Sequence, residues 1–71
     1  MRRAILEALK ARYEAEIAEA DATANIYLEN SVGIGEHPQH IDEVNKQIEK
    51  IAAPREKLEG LEQFEPEKAV L

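Results

Sequence analysis

The chain has 71 residues, no cysteine, 34% charged residues and a formal net charge of −6. This length provides for a single small domain, and the absence of cysteine excludes disulfide bonds and thiolate metal sites as stabilising devices. The negative charge argues against direct binding to nucleic acid or to an anionic membrane surface, but it permits a basic protein partner. Because so small a core rarely supplies more than about 3–5 kcal/mol, we expect the chain to depend on a partner for its stability.

The first predicted element is a long helix over about residues 3–30, a stretch that lacks Gly and Pro and is rich in strong helix formers. Apolar residues recur in it at steps of three and four, which is the spacing that places them on one face of a helix. We expect this face to pack against a second helix. The stripe contains Leu6, Leu9, Tyr13, Ile17, Ala20, Ala24 and Tyr27 or Leu28.

The first residues do not predict a secretory signal. Glu7 and Lys10 interrupt the short apolar run that begins at Ala4, and a signal peptide needs a longer uncharged segment. The sequence also lacks a run of roughly 20 apolar residues, which a membrane-spanning helix requires. We therefore expect a cytoplasmic protein that does not associate with membranes.

A turn over residues 31–37 is predicted to end the first helix and to reverse the chain. Gly33 and Gly35 supply backbone freedom there, and Pro38 suits the first turn of the next helix because its missing N–H would have no partner at that position. The second helix is predicted over about residues 38–63. Its apolar stripe contains Ile41, Val44, Ile48, Ile51, Leu58 and Leu61.

Pro54 interrupts the second stripe. Inside a helix, a proline removes one hydrogen bond and clashes with the preceding turn, at a cost of about 3 kcal/mol. The second helix is therefore either kinked or broken into two pieces, and we favour a kinked helix because Leu58 and Leu61 continue the apolar face. Gly60 weakens the last turns further, and residues 66–71 are expected to fray.

Together these elements predict an all-α fold, an antiparallel two-helix hairpin in a single domain over residues 1–71. A short connection makes consecutive helices antiparallel neighbours. Since two helices enclose little core, we expect two hairpins to assemble through their apolar stripes into a dimeric four-helix bundle.

The segment from Glu36 to His40 contains both histidines of the chain and is the candidate metal site. His37 and His40 are three residues apart at the start of a helix, so both side chains can face one ion, with Glu36 as a third ligand. The alternative is that His37 caps the helix and His40 is solvated. The spacing matches no zinc signature, and we expect no cofactor.

The turn and the second helix contain the sequence Val32-Gly33-Ile34-Gly35-Glu36-His37-Pro38, followed by Ile41 and by Gln47-Ile48-Glu49-Lys50-Ile51. This pattern resembles short uncharacterised helical proteins encoded by tailed phages of marine cyanobacteria, over roughly the middle two-thirds of the chain. The resemblance implies a viral accessory protein in the host cytoplasm, and it carries over no site residues.

The sequence contains no arrangement of nucleophile, base and acid that predicts catalysis, so we do not expect an enzyme. The leading hypothesis is a small interaction protein that binds itself and another protein, such as a host or virion protein. One alternative is an acidic mimic of nucleic acid that blocks a nuclease or a polymerase. A second alternative is a metal-binding oligomer that uses Glu36, His37 and His40.

Overall fold

Two α-helices make up nearly all of the described part of the chain. The computed structural model describes residues 1–30 and 38–65, and in them α1 comprises Arg2–Asn30 and α2 comprises Pro38–Glu62. No strand occurs in these two ranges. The helices pack against each other, which confirms the predicted all-α helical hairpin.

The predicted turn over residues 31–37 and the predicted frayed tail over residues 66–71 lie outside the described residues. The two helices run antiparallel. Three contacts show this, because they pair residues of increasing number in α1 with residues of decreasing number in α2 and just after it. These contacts are Arg2 with Phe64, Tyr13 with Lys57, and Tyr27 with His40.

The long α1 helix follows from a sequence that favours helix at nearly every position. It contains no Gly and no Pro, and its many alanines have the highest helix propensity. Thr23 and Asn25 have lower propensity, but their side chains donate hydrogen bonds back to the carbonyl oxygens of Glu19 and Asp21, at 2.9 and 3.0 Å. These bonds satisfy both polar groups without interrupting the helix.

The second helix continues through Pro54 without a break. Of the two arrangements that the sequence allows, a single helix is therefore the one that forms. Pro54 is buried, and it lines the same cleft as Ala20 of α1. Burial of the apolar ring offsets part of the roughly 3 kcal/mol that a proline costs inside a helix.

Short-range backbone hydrogen bonds close the C-terminal end of α2. The N–H groups of residues 63, 64 and 65 donate to the carbonyl oxygens three residues earlier, at 3.3, 3.1 and 3.1 Å, which is the pattern of a 3₁₀ turn. The Arg2 guanidinium then donates a hydrogen bond to the Phe64 carbonyl oxygen. A positive charge near the end of a helix is favourable with the helix dipole, so this contact joins the start of α1 to the end of α2.

The core of the hairpin is narrow. Besides Pro54, its buried apolar residues are Ala20, Ala24 and Leu61 at 2%, 8% and 9% exposure, and Gln47 is also buried at 7%. Among the described residues, none of the large side chains is wholly removed from solvent. The molecule measures 52 × 20 × 14 Å, so its smallest dimension is little more than the diameter of one helix. This single layer of two helices leaves both broad sides open to solvent.

Candidate interaction surface

One side of the hairpin carries a shallow apolar groove near the end where α1 finishes and α2 begins. Leu28, Ile41 and Ile48 line this groove and are 57%, 74% and 55% exposed. Val44, which is half-buried, lines it as well, and the groove has a volume of about 400 Å³. We call these four residues the apolar surface. Full burial of a leucine or isoleucine contributes about 1.5–3 kcal/mol, so a surface of this kind favours contact with another molecule.

Tyr27 and His40 line the same groove and connect the two helices there. Both side chains are half-buried, and their rings meet edge to face, with centroids 5.9 Å apart and an angle of 65° between the ring planes. His40 is therefore packed against α1, in contrast to the solvated histidine that one interpretation of the sequence predicted. The contact joins the first turn of α2 to the last turn of α1, and it lies next to the apolar surface.

The opposite side of the hairpin carries a groove of mixed charge. Glu16 and Glu19 of α1 line it together with Lys50 and Lys57 of α2, around a volume of about 460 Å³. Lys50 and Ile48 are two residues apart, which separates their directions by about 200° around the helix axis. The apolar surface and this charged groove therefore lie on opposite sides of the hairpin.

The predicted stripe divides into two groups. Leu28, Ile41 and Ile48 are exposed, whereas the remaining members are buried at least in part. The hairpin thus covers most of the stripe by itself, and the role of the stripe between chains stays a prediction. The covered members are Leu6, Leu9, Tyr13, Ile17, Ala20, Ala24, Tyr27, Val44, Ile51, Leu58 and Leu61.

Sequence reasoning missed two residues that α2 directs toward α1. Gln47 and Pro54 are both buried, although neither belongs to the apolar stripe. With them, the inward face of α2 keeps an unbroken alternation of four-residue and three-residue steps, as in a heptad pattern. The spacing contained this signal, but glutamine and proline concealed it because neither is a usual core residue of a helix. The inward face comprises His40, Val44, Gln47, Ile51, Pro54, Leu58 and Leu61.

The candidate metal ligands are not brought together within the described part of the chain. Glu36 and His37 lie outside the described residues, and the His40 ring packs against Tyr27. In residues 1–30 and 38–65, no group of three His, Asp or Glu side chains is placed to hold an ion. The metal site that includes Glu36 and His37 therefore stays a prediction.

No model of a known protein family, no curated protein and no solved structure matches this chain. In its described part, neither helix combines the length and the apolar character that crossing a membrane demands. The function must therefore be inferred from the surfaces of the hairpin.

Proposed function

We propose that this chain is a non-enzymatic protein–protein interaction module that makes its contacts through the apolar surface. The observation that carries the proposal is the exposure of Leu28, Ile41 and Ile48, each more than half open to solvent and all on one side of the hairpin. The buried positions of the hairpin are occupied largely by small or polar residues. Some of the largest apolar side chains are thus left for contact with another molecule.

The energetics favour coverage of this surface. Burying the exposed half of a leucine or isoleucine contributes about 1 kcal/mol, so three such side chains favour binding by roughly 3 kcal/mol. This amount is comparable with the whole stability that a core of this size supplies. Association through the apolar surface would therefore stabilise the hairpin in the same step as it binds the partner.

An acidic mimic of nucleic acid has weaker support. Such a mimic needs uninterrupted rows of carboxylates to imitate phosphates. In the charged groove, Lys50 and Lys57 stand beside Glu16 and Glu19. These lysines would repel the basic surface of a nuclease or a polymerase.

Replacing two isoleucines of the apolar surface tests the proposed function. Three tagged chains are immobilised on beads: the wild type, an Ile41→Asp/Ile48→Asp variant, and an Ile5→Asp/Ile26→Asp control. Ile5 and Ile26 are 51% and 59% exposed and do not line the apolar groove, so the control adds the same charge at comparable exposure elsewhere. Each chain is incubated with an extract of the cells that make the protein and with an untagged copy of the chain, and the retained proteins are identified by mass spectrometry.

We expect the wild type and the control to retain the same proteins, and the Ile41/Ile48 variant to retain them at least roughly tenfold less, because its added carboxylates would be buried unpaired in the contact. Circular dichroism establishes that all three chains are helical. Equal retention by the three chains would contradict the proposal, and so would a wild-type chain that retains nothing.

A further inference from the structure

We propose that the molecule that covers the apolar surface is a second copy of this chain, in a dimer whose two-fold axis runs parallel to the helices. In this dimer, α1 of each copy packs on α2 of the other, so that every neighbouring pair of helices in the four-helix bundle is antiparallel. The inference rests on the proposed function, since it names the occupant of the same surface. Its evidence is the order of charged and apolar residues along that side of the hairpin.

On α2, a row of charged residues follows the apolar surface toward the C-terminal end of the helix. Successive helical residues advance by about 100°, so residues seven or eleven positions apart point in nearly the same direction. The exposed side chains that lie within about 40° of Ile48 are one isoleucine, one alanine and three charged residues. They are Ile41, Ala52, Arg55, Glu59 and Glu62.

On α1, the same side carries a row with the complementary order. Leu28 lines the apolar groove together with Ile41 and Ile48, so its direction marks this side of α1. The side chains within about 40° of Leu28 are two basic, two acidic and three apolar residues, and of the apolar ones Ala24 is buried while Leu6 and Ile17 are half-buried. In chain order they are Arg3, Leu6, Lys10, Glu14, Ile17, Asp21 and Ala24.

A two-fold axis parallel to the helices keeps each residue at the same height along the bundle. Each α1 residue therefore meets the α2 residues of the second copy that lie at the same height. Contacts within one hairpin define these heights, since Tyr13 is level with Lys57 and Tyr27 is level with His40. Opposite charges then meet where α1 begins and α2 ends, and two apolar side chains meet at the other end of the interface. The pairs between copies are Arg3 with Glu62, Lys10 with Glu59, Glu14 with Arg55, Ile17 with Ile48, and Leu28 with Ile41. The remaining acidic residue of the α1 row, Asp21, comes level with both Asn45 and Ile48 of the second copy, and Glu62 comes level with the half-buried Leu6 as well as with Arg3. At these two positions a charge borders an apolar side chain.

A two-fold axis perpendicular to the helices gives a poorer match. It would stack α2 on α2 in opposite directions, and with full overlap Ile41 would meet Glu59 and Leu28 would lie beside Arg3. Covering an apolar side chain with an unpaired charge costs free energy, because the charge loses water without gaining a partner. The order of residues therefore favours the parallel axis.

The ion pairs within one chain do not prevent the charged residues of the two rows from pairing with the second copy. The ion pairs Arg3–Glu7, at 3.5 Å, and Lys46–Glu43, at 3.4 Å, are each formed within one helix. Exposed pairs of this kind are worth at most about 1 kcal/mol and rearrange readily.

Two reciprocal charge reversals, Glu14→Arg and Arg55→Glu, test the arrangement. In a homodimer of either variant, both Glu14–Arg55 contacts between copies become repulsive, and we expect the dissociation constant to rise roughly tenfold. In a one-to-one mixture, the introduced arginine of one variant meets the introduced glutamate of the other, and the unchanged Glu14 meets the unchanged Arg55. The heterodimer should therefore recover a dissociation constant close to that of the wild type, as measured by energy transfer between labelled chains.

The mixture also separates contacts between copies from contacts within one chain. Glu14 and Arg55 lie at similar heights in the same hairpin, but a repulsion within each chain would persist in the heterodimer and prevent recovery. Glu16→Arg and Lys50→Glu form a matched control pair on the charged groove, and they are expected to change the dissociation constant by less than about twofold.

Two results would overturn the inference. A mixture that associates no more tightly than the separate variants would exclude the parallel axis. A wild-type chain that remains monomeric by light scattering up to about 100 µM would exclude a second copy as the occupant. The second result leaves the proposed function standing, because the bead experiment decides separately whether the apolar surface binds a different protein.

Discussion

At the scale of single residues, the contact between the helices depends on alanine. Ala20 and Ala24 are 2% and 8% exposed, and the larger Gln47 and Pro54 are buried on α2. A methyl group occupies little space, so the glutamine side chain and the proline ring can fit between the two backbones. Small size at Ala20 is therefore as important to the hairpin as apolar surface.

Replacing Ala20 with leucine should separate the helices. Because Ala20 is only 2% exposed, the added atoms must enter the contact between the helices, and overpacking of this kind costs about 1–3 kcal/mol in the free energy of unfolding. Ala18→Leu is the matched control, because Ala18 is exposed on the same helix. Urea unfolding followed by circular dichroism at one protein concentration measures both variants. Equal stability of Ala20→Leu and Ala18→Leu would show that the helices are not in close contact at Ala20.

At the scale of the elements, the sequence predicts both helices well because their composition and periodicity act locally. It predicts less well which edge of α2 faces α1. Val44 and Ile51 are seven residues apart, and so are Ile41 and Ile48, so the two edges have the same apolar period. The position of α1 decides between them, and it places the first pair inward and leaves the second pair exposed.

The apolar surface could be predicted only as part of a stripe, for the same reason. Leu28 and Tyr27 are adjacent in the sequence, and both suit the apolar spacing of α1. Tyr27 becomes half-buried through its contact with His40, and Leu28 is left 57% exposed at the groove. Exposure of this kind depends on contacts between helices, which a pattern within one helix does not contain.

The C-terminal part of α2 should gain stability from Gly60→Ala. Gly60 lies within the helix, and a Cβ added there would meet nothing within 4 Å. Alanine restricts the unfolded chain and favours helix, so the free energy of unfolding should rise by about 0.5–1 kcal/mol. The reverse change at an exposed position of α1, Ala15→Gly, should lower it by a similar amount. A loss of stability in Gly60→Ala would mean that this turn needs the backbone freedom of glycine.

At the scale of the whole molecule, thickness is the limiting property. A layer 14 Å thick cannot surround a large side chain on all sides, and accordingly no large side chain of the described residues is wholly buried. A second pair of helices would cover one broad side of the hairpin. The residues at the contact between α1 and α2 would then lie in the interior of a four-helix bundle. The stability of the chain and its association should therefore be linked.

This linkage predicts that the melting temperature of the wild-type chain depends on its concentration. When folded chains associate and unfolded chains do not, mass action stabilises the folded state, and each tenfold increase in concentration should raise the melting temperature by roughly 3–6 °C. Thermal unfolding followed by circular dichroism from about 1 to 100 µM measures this slope. The Ile41→Asp/Ile48→Asp variant should lose the slope and melt at a lower temperature, whereas Ile5→Asp/Ile26→Asp should retain it. A melting temperature that is independent of concentration in the wild type would mean that one layer of two helices is stable without a second copy.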